Sequence, residues 1–214
     1  MSDIFQEVDE DLRRDRMSQM AKRYGGIVGT VAVLIVAATA GYQAWQGWQK
    51  SQREAETGRL VSALSQTAAS PAKGIEALSS YAAKAPADLA VLARLNEAAL
   101  RAGEGKSTEA VAIYDSIAAD TQVGNIYRDL ATLLSVMHQI GSGDAAQLQA
   151  RLQPLTVDDN AWRFSAREMT ALLTARAGDK AGARTLFQQL ADDSLAPSGV
   201  RSRAADLAAL YGKS

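Results

Sequence analysis

The sequence predicts an all-α chain: a single N-terminal transmembrane helix followed by an α-solenoid of stacked helix pairs. Three observations predict it. From Tyr24 to Gln49 there is no Asp, Glu, Lys or Arg. Beyond Lys50 the strong helix formers Ala, Leu, Arg, Gln and Glu dominate, and no alternating β-branched run bounded by turn residues occurs. Within that helical stretch a small residue followed by a larger one recurs at a nearly constant interval.

Composition sets outer bounds. The chain has 214 residues and a formal net charge of −1. A near-neutral balance argues against a nucleic-acid partner, because phosphate binding needs a concentrated cationic surface. There is no Cys and a single His, His138. Disulfides, thiol nucleophiles, thiolate metal sites and His/Cys zinc sites are therefore excluded. No metal and no cofactor is expected.

Residues 1–23 form the first segment, expected to be cytoplasmic and helical, with Ile4, Val8 and Leu12 recurring at helical spacing between charges. Residues 24–48 form the expected transmembrane helix, centred on Ile27 to Gly41 and long enough for the roughly 20 residues a bilayer requires. Its strongly apolar residues supply roughly −2 to −4 kcal/mol of insertion free energy. Gly25 and Gly29, and Ala37 and Gly41, lie four apart and offer a candidate packing face for a second membrane helix. Tyr42, Trp45 and Trp48 follow where interfacial aromatics belong.

Arg13, Arg14, Arg16, Lys22 and Arg23 precede the span, whereas only Lys50, Arg53 and Arg59 follow within a similar distance. This excess places the N-terminus in the cytoplasm and the larger domain in the periplasm of a bacterial inner membrane. A cleaved signal peptide is the rival reading, because Ala38-Thr39-Ala40 matches the small-x-small pattern. Against it stand the long leading region, with six acidic residues from Asp3 to Asp15, and the apolar stretch that runs on to Trp45 and Trp48.

Residues 49–70 are expected as a helical connector and 71–214 as the repeat domain. Pro71, Pro86, Pro154 and Pro197 fall at helix boundaries, and Gly103, Gly105, Gly141, Gly143 and Gly178 mark further breaks. These punctuate helices near 50–67, 72–84, 88–102, 107–119, 124–140, 144–152, 160–177, 180–192 and 198–211. The first continues directly from the apolar run. Ala77–Tyr81, Ala110–Tyr114, Leu148–Leu152 and Ala183–Phe187 recur at spacings of 33, 38 and 35 residues. That is close to the 34-residue period of tetratricopeptide repeats. Ala171, Gly178, Ala183 and Phe187 match that repeat best, with small residues for close helix approach and an aromatic between neighbouring pairs. The unit holding Leu148 is degenerate.

No catalytic constellation appears. Gly103-Glu104-Gly105-Lys106-Ser107 lacks the earlier glycine and the preceding strand of a phosphate loop, since Leu100 stands where that glycine belongs. Asp158-Asp159 and Asp192-Asp193 are sequence neighbours and do not face each other. His138 lies on a mostly apolar helix and is expected as a packed or half-exposed residue, with no nucleophile turn to serve. An enzyme is not expected, nor a small-molecule substrate.

The opening from Asp3 to Arg16, the Lys22-Arg23-Tyr24-Gly25-Gly26 lead into the apolar run, and Trp162-Arg163-Phe164-Ser165-Ala166-Arg167-Glu168 together resemble the YfgM-like ancillary subunits of the SecYEG translocon, in their alphaproteobacterial form. The resemblance covers the whole chain. It implies an inner-membrane protein with a periplasmic tetratricopeptide-like domain whose partners are translocon subunits, periplasmic chaperones or emerging clients. It implies no catalytic residue. The same repeat domain occurs in cell-division coordination proteins, so an envelope assembly factor stays open beside the translocon scaffold. So does a secreted soluble repeat module released after Ala40.

Overall fold

The computed structural model describes residues 3–212, with side chains from Thr30 onward except those of Ala32, Val33 and Ala69. Among the described residues all regular structure is helical. Two units are separable, Met1–Ala55 and Glu56–Ser214.

One uninterrupted helix, α1, runs from Asp3 to Ala69. No proline interrupts it. In the first unit Val31, Leu34, Ile35 and Val36 are all exposed. At 100° per residue they spread over about 200° of the helix circumference, and no protein core receives them. Among the described residues, no helix is long and apolar enough to cross a membrane. Ile27, Val28 and Gly29, which open the apolar run, lie outside the described side chains.

The second unit begins in the last turns of α1. It continues through α2 (Pro71–Ala82), α3 (Ala87–Gly103), α4 (Ser107–Ala119), α5 (Asn125–Gln139), α6 (Ala145–Leu152), α7 (Arg163–Arg176), α8 (Lys180–Asp192) and α9 (Ser198–Tyr211), with a 3-10 turn over Gln153–Leu155 after α6. The boundaries have local causes. Pro71 occupies the first turn of α2, where its missing N–H costs nothing. Pro86 and Pro197 immediately precede α3 and α9. Asp144 and Asp179 cap α6 and α8 by accepting the N–H groups of Gln147 (2.8 Å) and Gly182 (2.7 Å). Gly105 (φ 79°) and Gly178 (φ 98°) turn the chain between α3 and α4 and between α7 and α8, in a left-handed conformation that penalises any Cβ.

The helix boundaries read from sequence differ from these by a few residues. The largest difference is at α7, expected from residue 160 but starting at Arg163. There Asn160 turns its side chain back to accept the Trp162 N–H (2.8 Å), holding the preceding residues in a turn. The 3-10 turn was not anticipated.

Each helix packs on the next in antiparallel pairs: the end of α1 with α2, α3 with α4, α5 with α6, α7 with α8, and α9 against the last pair. The core is a chain of four clusters, one at each junction. Leu60, Ala63, Leu78 and Ala93 fill the first. Val91, Ala98, Ala110, Tyr114 and Ile117 fill the second, Leu133, Val136, Leu148, Leu152 and Leu173 the third, and Ala171, Ala183, Phe187, Leu190 and Ala204 the last. Fully buried alanines let the helices approach closely, and the larger residues close the gaps.

Candidate interaction face

Neighbouring first helices touch: α3 meets α5, α5 meets α7, and α7 meets α9. The second helices α4, α6 and α8 make no comparable backbone approach. The more closely spaced layer of a stacked array lies on the inside of its curve, so α3, α5, α7 and α9 form the inner face.

Polar bonds to the second helices identify the outward side of each inner helix. On α5, Ser135 is fully buried and donates to Asp115 of α4 (2.5 Å), while Arg151 of α6 donates to Ser135 (3.1 Å) and to Asp115 (2.5 Å). At 100° per residue, Ile126, Leu130, Leu133 and Met137 lie within about 40° of the direction opposite Ser135. On α7, Thr174 receives Gln149 of α6 (2.9 Å), which leaves Ser165, Leu172 and Arg176 on the opposite side. On α3, Arg94 reaches Ser116 of α4 (2.8 Å), which leaves Leu92, Asn96 and Ala99 inward.

The resulting face is graded. Its α5 part is apolar, with Ile126 and Met137 53% and 39% exposed, and α3 adds Leu92 and Ala99 beside the exposed Asn96. Its α7 and α9 part is polar. There the Arg203 guanidinium donates twice to Glu168 at 2.8 Å, a two-point bond from α9 to α7. Glu168 thereby holds Arg203 above the ordinary arginine range. Arg176 is committed to the carbonyls of Ile140 and Gly143.

The residues singled out in the repeats are placed as follows. Ala110, Tyr114, Ala171, Ala183 and Phe187 are buried at the junctions. Gly178 makes the α7–α8 turn. Tyr81 is half-buried and donates its hydroxyl to the Glu56 carbonyl (3.0 Å). Two of these residues share an arrangement that the sequence reading missed. Tyr114 stacks on His138 (centroids 5.7 Å, planes 6° apart), and Phe187 stacks on Tyr211 (5.9 Å, 3°). Both pairs are 24 residues apart, from 114 to 138 and from 187 to 211. The lone histidine is therefore the ring of one repeat's junction, at the place where Tyr211 serves in another.

In the first unit Ala37, Gly41, Tyr42, Trp45 and Trp48 are all exposed. A Cβ at Gly41 would meet nothing within 4 Å. Gly25 and Gly29 lie in α1 but outside the residues whose surroundings are described. Tyr42, Trp45 and Trp48 follow every third residue within about 120° of the helix circumference, with Gln43 and Lys50 on the other side. Among the described residues no group of His, Cys, Asp and Glu could hold a metal ion.

The Trp162–Glu168 segment acts as a fastener between repeats. Trp162 donates its indole N–H to the Ile126 carbonyl (3.0 Å), and Arg163 lies over the Phe164 ring at 4.2 Å. Arg167 holds the Thr156 carbonyl (3.0 Å), and Glu168 holds Arg203.

Helix pairs stacked at a near-constant period, with a graded open inner face, define a helical-repeat interaction scaffold. The chain belongs to the tetratricopeptide repeat-like domain family, which it matches over residues 19–208. No curated protein and no solved structure matches it.

Proposed function

We propose that the chain is a membrane-anchored, non-enzymatic scaffold of the bacterial inner membrane, with its N-terminus cytoplasmic and its repeat unit in the periplasm. There its inner face holds a polypeptide segment. The observation that carries the reading is the presence of two exposed apolar surfaces in one chain, each suited to a different medium. Val31, Leu34, Ile35 and Val36 are exposed over about half of the circumference of α1 and call for lipid or a lipid-embedded partner. Ile126 and Met137 form a strip on the inner face, suited to an apolar segment of a protein partner.

Two further observations support the anchor. The family match begins at residue 19, ahead of the repeats, and so takes in the whole apolar run. Aromatic residues follow that run at Tyr42, Trp45 and Trp48. Gly25, Gly29, Ala37 and Gly41 are proposed as its packing face. The sequence resemblance supplies the finer reading, in which the scaffold attends the SecYEG translocon and passes emerging polypeptides to periplasmic chaperones.

The test places a photo-crosslinking amino acid at Met137 in living cells, followed by mild detergent extraction and identification of the adducts. Adducts with translocon subunits and periplasmic folding factors support the reading. Adducts confined to division or wall-synthesis proteins replace it with an envelope assembly role. Release of the chain from membranes by alkaline carbonate refutes the anchor.

A further inference from the structure

The repeat unit has two edges of different character. Near the starts of α5 and α7, Asn160 donates to Asp129 (2.9 Å), and near their ends Arg176 donates to the carbonyls of Ile140 and Gly143. These inner helices therefore run the same way. The loops that precede the inner helices gather at one edge, and the turns that follow them gather at the other. The turns span Gly103 to Lys106, Gly141 to Asp144 and Ala177 to Lys180, with no apolar side chain larger than alanine.

The loop edge instead presents Val157 and Leu195, which are 46% and 75% exposed. Loop position alone does not force this, because Val123 in the α4–α5 loop turns inward and is buried. Both tips are held in place. The Leu195 N–H donates to the Asp193 carboxylate (2.9 Å), while the next residue, Ala196, is buried. The Val157 carbonyl accepts the Asn160 N–H (3.1 Å), with Leu155 buried just before it. Arg167 ties the two loops together, donating to the Thr156 carbonyl (3.0 Å) and to Asp158 (2.5 Å) and lying 3.7 Å from Asp193. Arg94 answers Asp120 on the same edge (3.7 Å), so paired charges frame the aliphatic tips. Such a mixture suits the headgroup layer of a bilayer, which accommodates both.

Chain length says which surface is within reach. Glu56, where the unit opens, belongs to the loop edge, because Tyr81 near the end of α2 donates to its carbonyl (3.0 Å). The expected span ends at residue 48, so the chain up to Glu56 reaches at most roughly 30 Å, whatever its course. A short tether makes a weak contact effectively intramolecular, so two aliphatic side chains suffice where free association would fail.

We propose that the loop edge is a membrane-docking surface, with Val157 and Leu195 seated in the headgroup layer of the bilayer that holds the anchor. The inference rests on the anchor reading. Docked in this way, the repeat unit turns its glycine-turn edge away from the lipid.

The chain has no Cys, so a fluorophore on Ser194→Cys reports the loop edge and one on Ser142→Cys the opposite edge. The full chain is placed in phosphatidylcholine nanodiscs in which part of the lipid carries a nitroxide quencher on its headgroup. Quenching is expected to be strong at 194 and weak at 142. Val157→Ser combined with Leu195→Ser, both at exposed positions, is expected to leave melting unchanged and to lower quenching at 194 to the level at 142. Equal quenching at the two positions, or quenching at 194 that persists in the doubly substituted chain, would overturn the proposal and leave the anchor intact. A chain that fails to elute with the nanodiscs would overturn the anchor and the proposal with it.

Discussion

Replacing Phe187 with alanine tests whether the unit is a chain of junctions or one undivided core. Phe187 is fully buried, packs in the cluster with Ala183, Leu190 and Ala204, and stacks on Tyr211. A Phe→Ala change at such a site costs about 3–5 kcal/mol in lost transfer energy and residual cavity. The lost ring stack accounts for roughly 0.5–1.5 kcal/mol of that. For a domain of this size each kcal/mol lowers Tm by about 2–4 °C, so a fully cooperative unit would melt about 6–20 °C lower. A stacked array responds differently, because each pair touches only its neighbours. Native-state hydrogen exchange should show α7, α8 and α9 losing protection, while α3 and α4 keep most of theirs. Uniform loss across all helices would refute the junction-by-junction argument, and unchanged protection in α9 would refute the role of the Phe187–Tyr211 stack.

Other outcomes follow from single contacts. A Cβ on Gly74 would meet the Thr67 Cγ2 at 2.6 Å and its Cα at 2.9 Å, so Gly74→Ala is expected to cost about 1–3 kcal/mol in urea unfolding. Gly58→Ala, in helix α1 with nothing within 4 Å, is expected to gain up to about 1 kcal/mol in the same assay. Ser135→Ala removes the hydroxyl shared by Asp115, Arg151 and Gln139 but leaves the ion pair, and should cost about 1–2 kcal/mol with an unchanged denaturant slope. Burial pushes the Tyr114 phenol above its usual 10.0. The folded state then keeps a proton that the unfolded chain gives up, and stability falls as pH rises past that value. In Tyr114→Phe, melting curves taken across that range should show a shallower fall.

Much of the repeat unit is legible in local chemistry. Pro71, Pro86 and Pro197 mark helix starts because a ring without an N–H is tolerated only there. Ala77, Ala110 and Ala183 reveal the period, and Ala110 and Ala183 are buried where close helix approach admits little else. The α7 boundary was less legible because the Asn160 side chain competes with the helix for the Trp162 N–H, and nothing in helical propensity reports that. The inner face had a readable signal in the spacing of Ile126, Leu130 and Met137 on one helix side. Periodicity alone, though, does not distinguish a residue that faces a groove from one that faces the core. His138 carried no sequence sign of its partner, since Tyr114 lies one helix away.

The sequence by itself determined what depends on near neighbours: the helical class, the repeat period, the turn glycines and the apolar run in α1. Each follows from propensity, from left-handed backbone geometry or from hydropathy, and none needs a distant contact. Only the tertiary structure decided which helix sides face inward, that Glu168 bonds Arg203 across 35 residues, and that Tyr114 stacks on His138. Those features arise from distances between segments far apart in the chain, which stacking sets and no local pattern encodes.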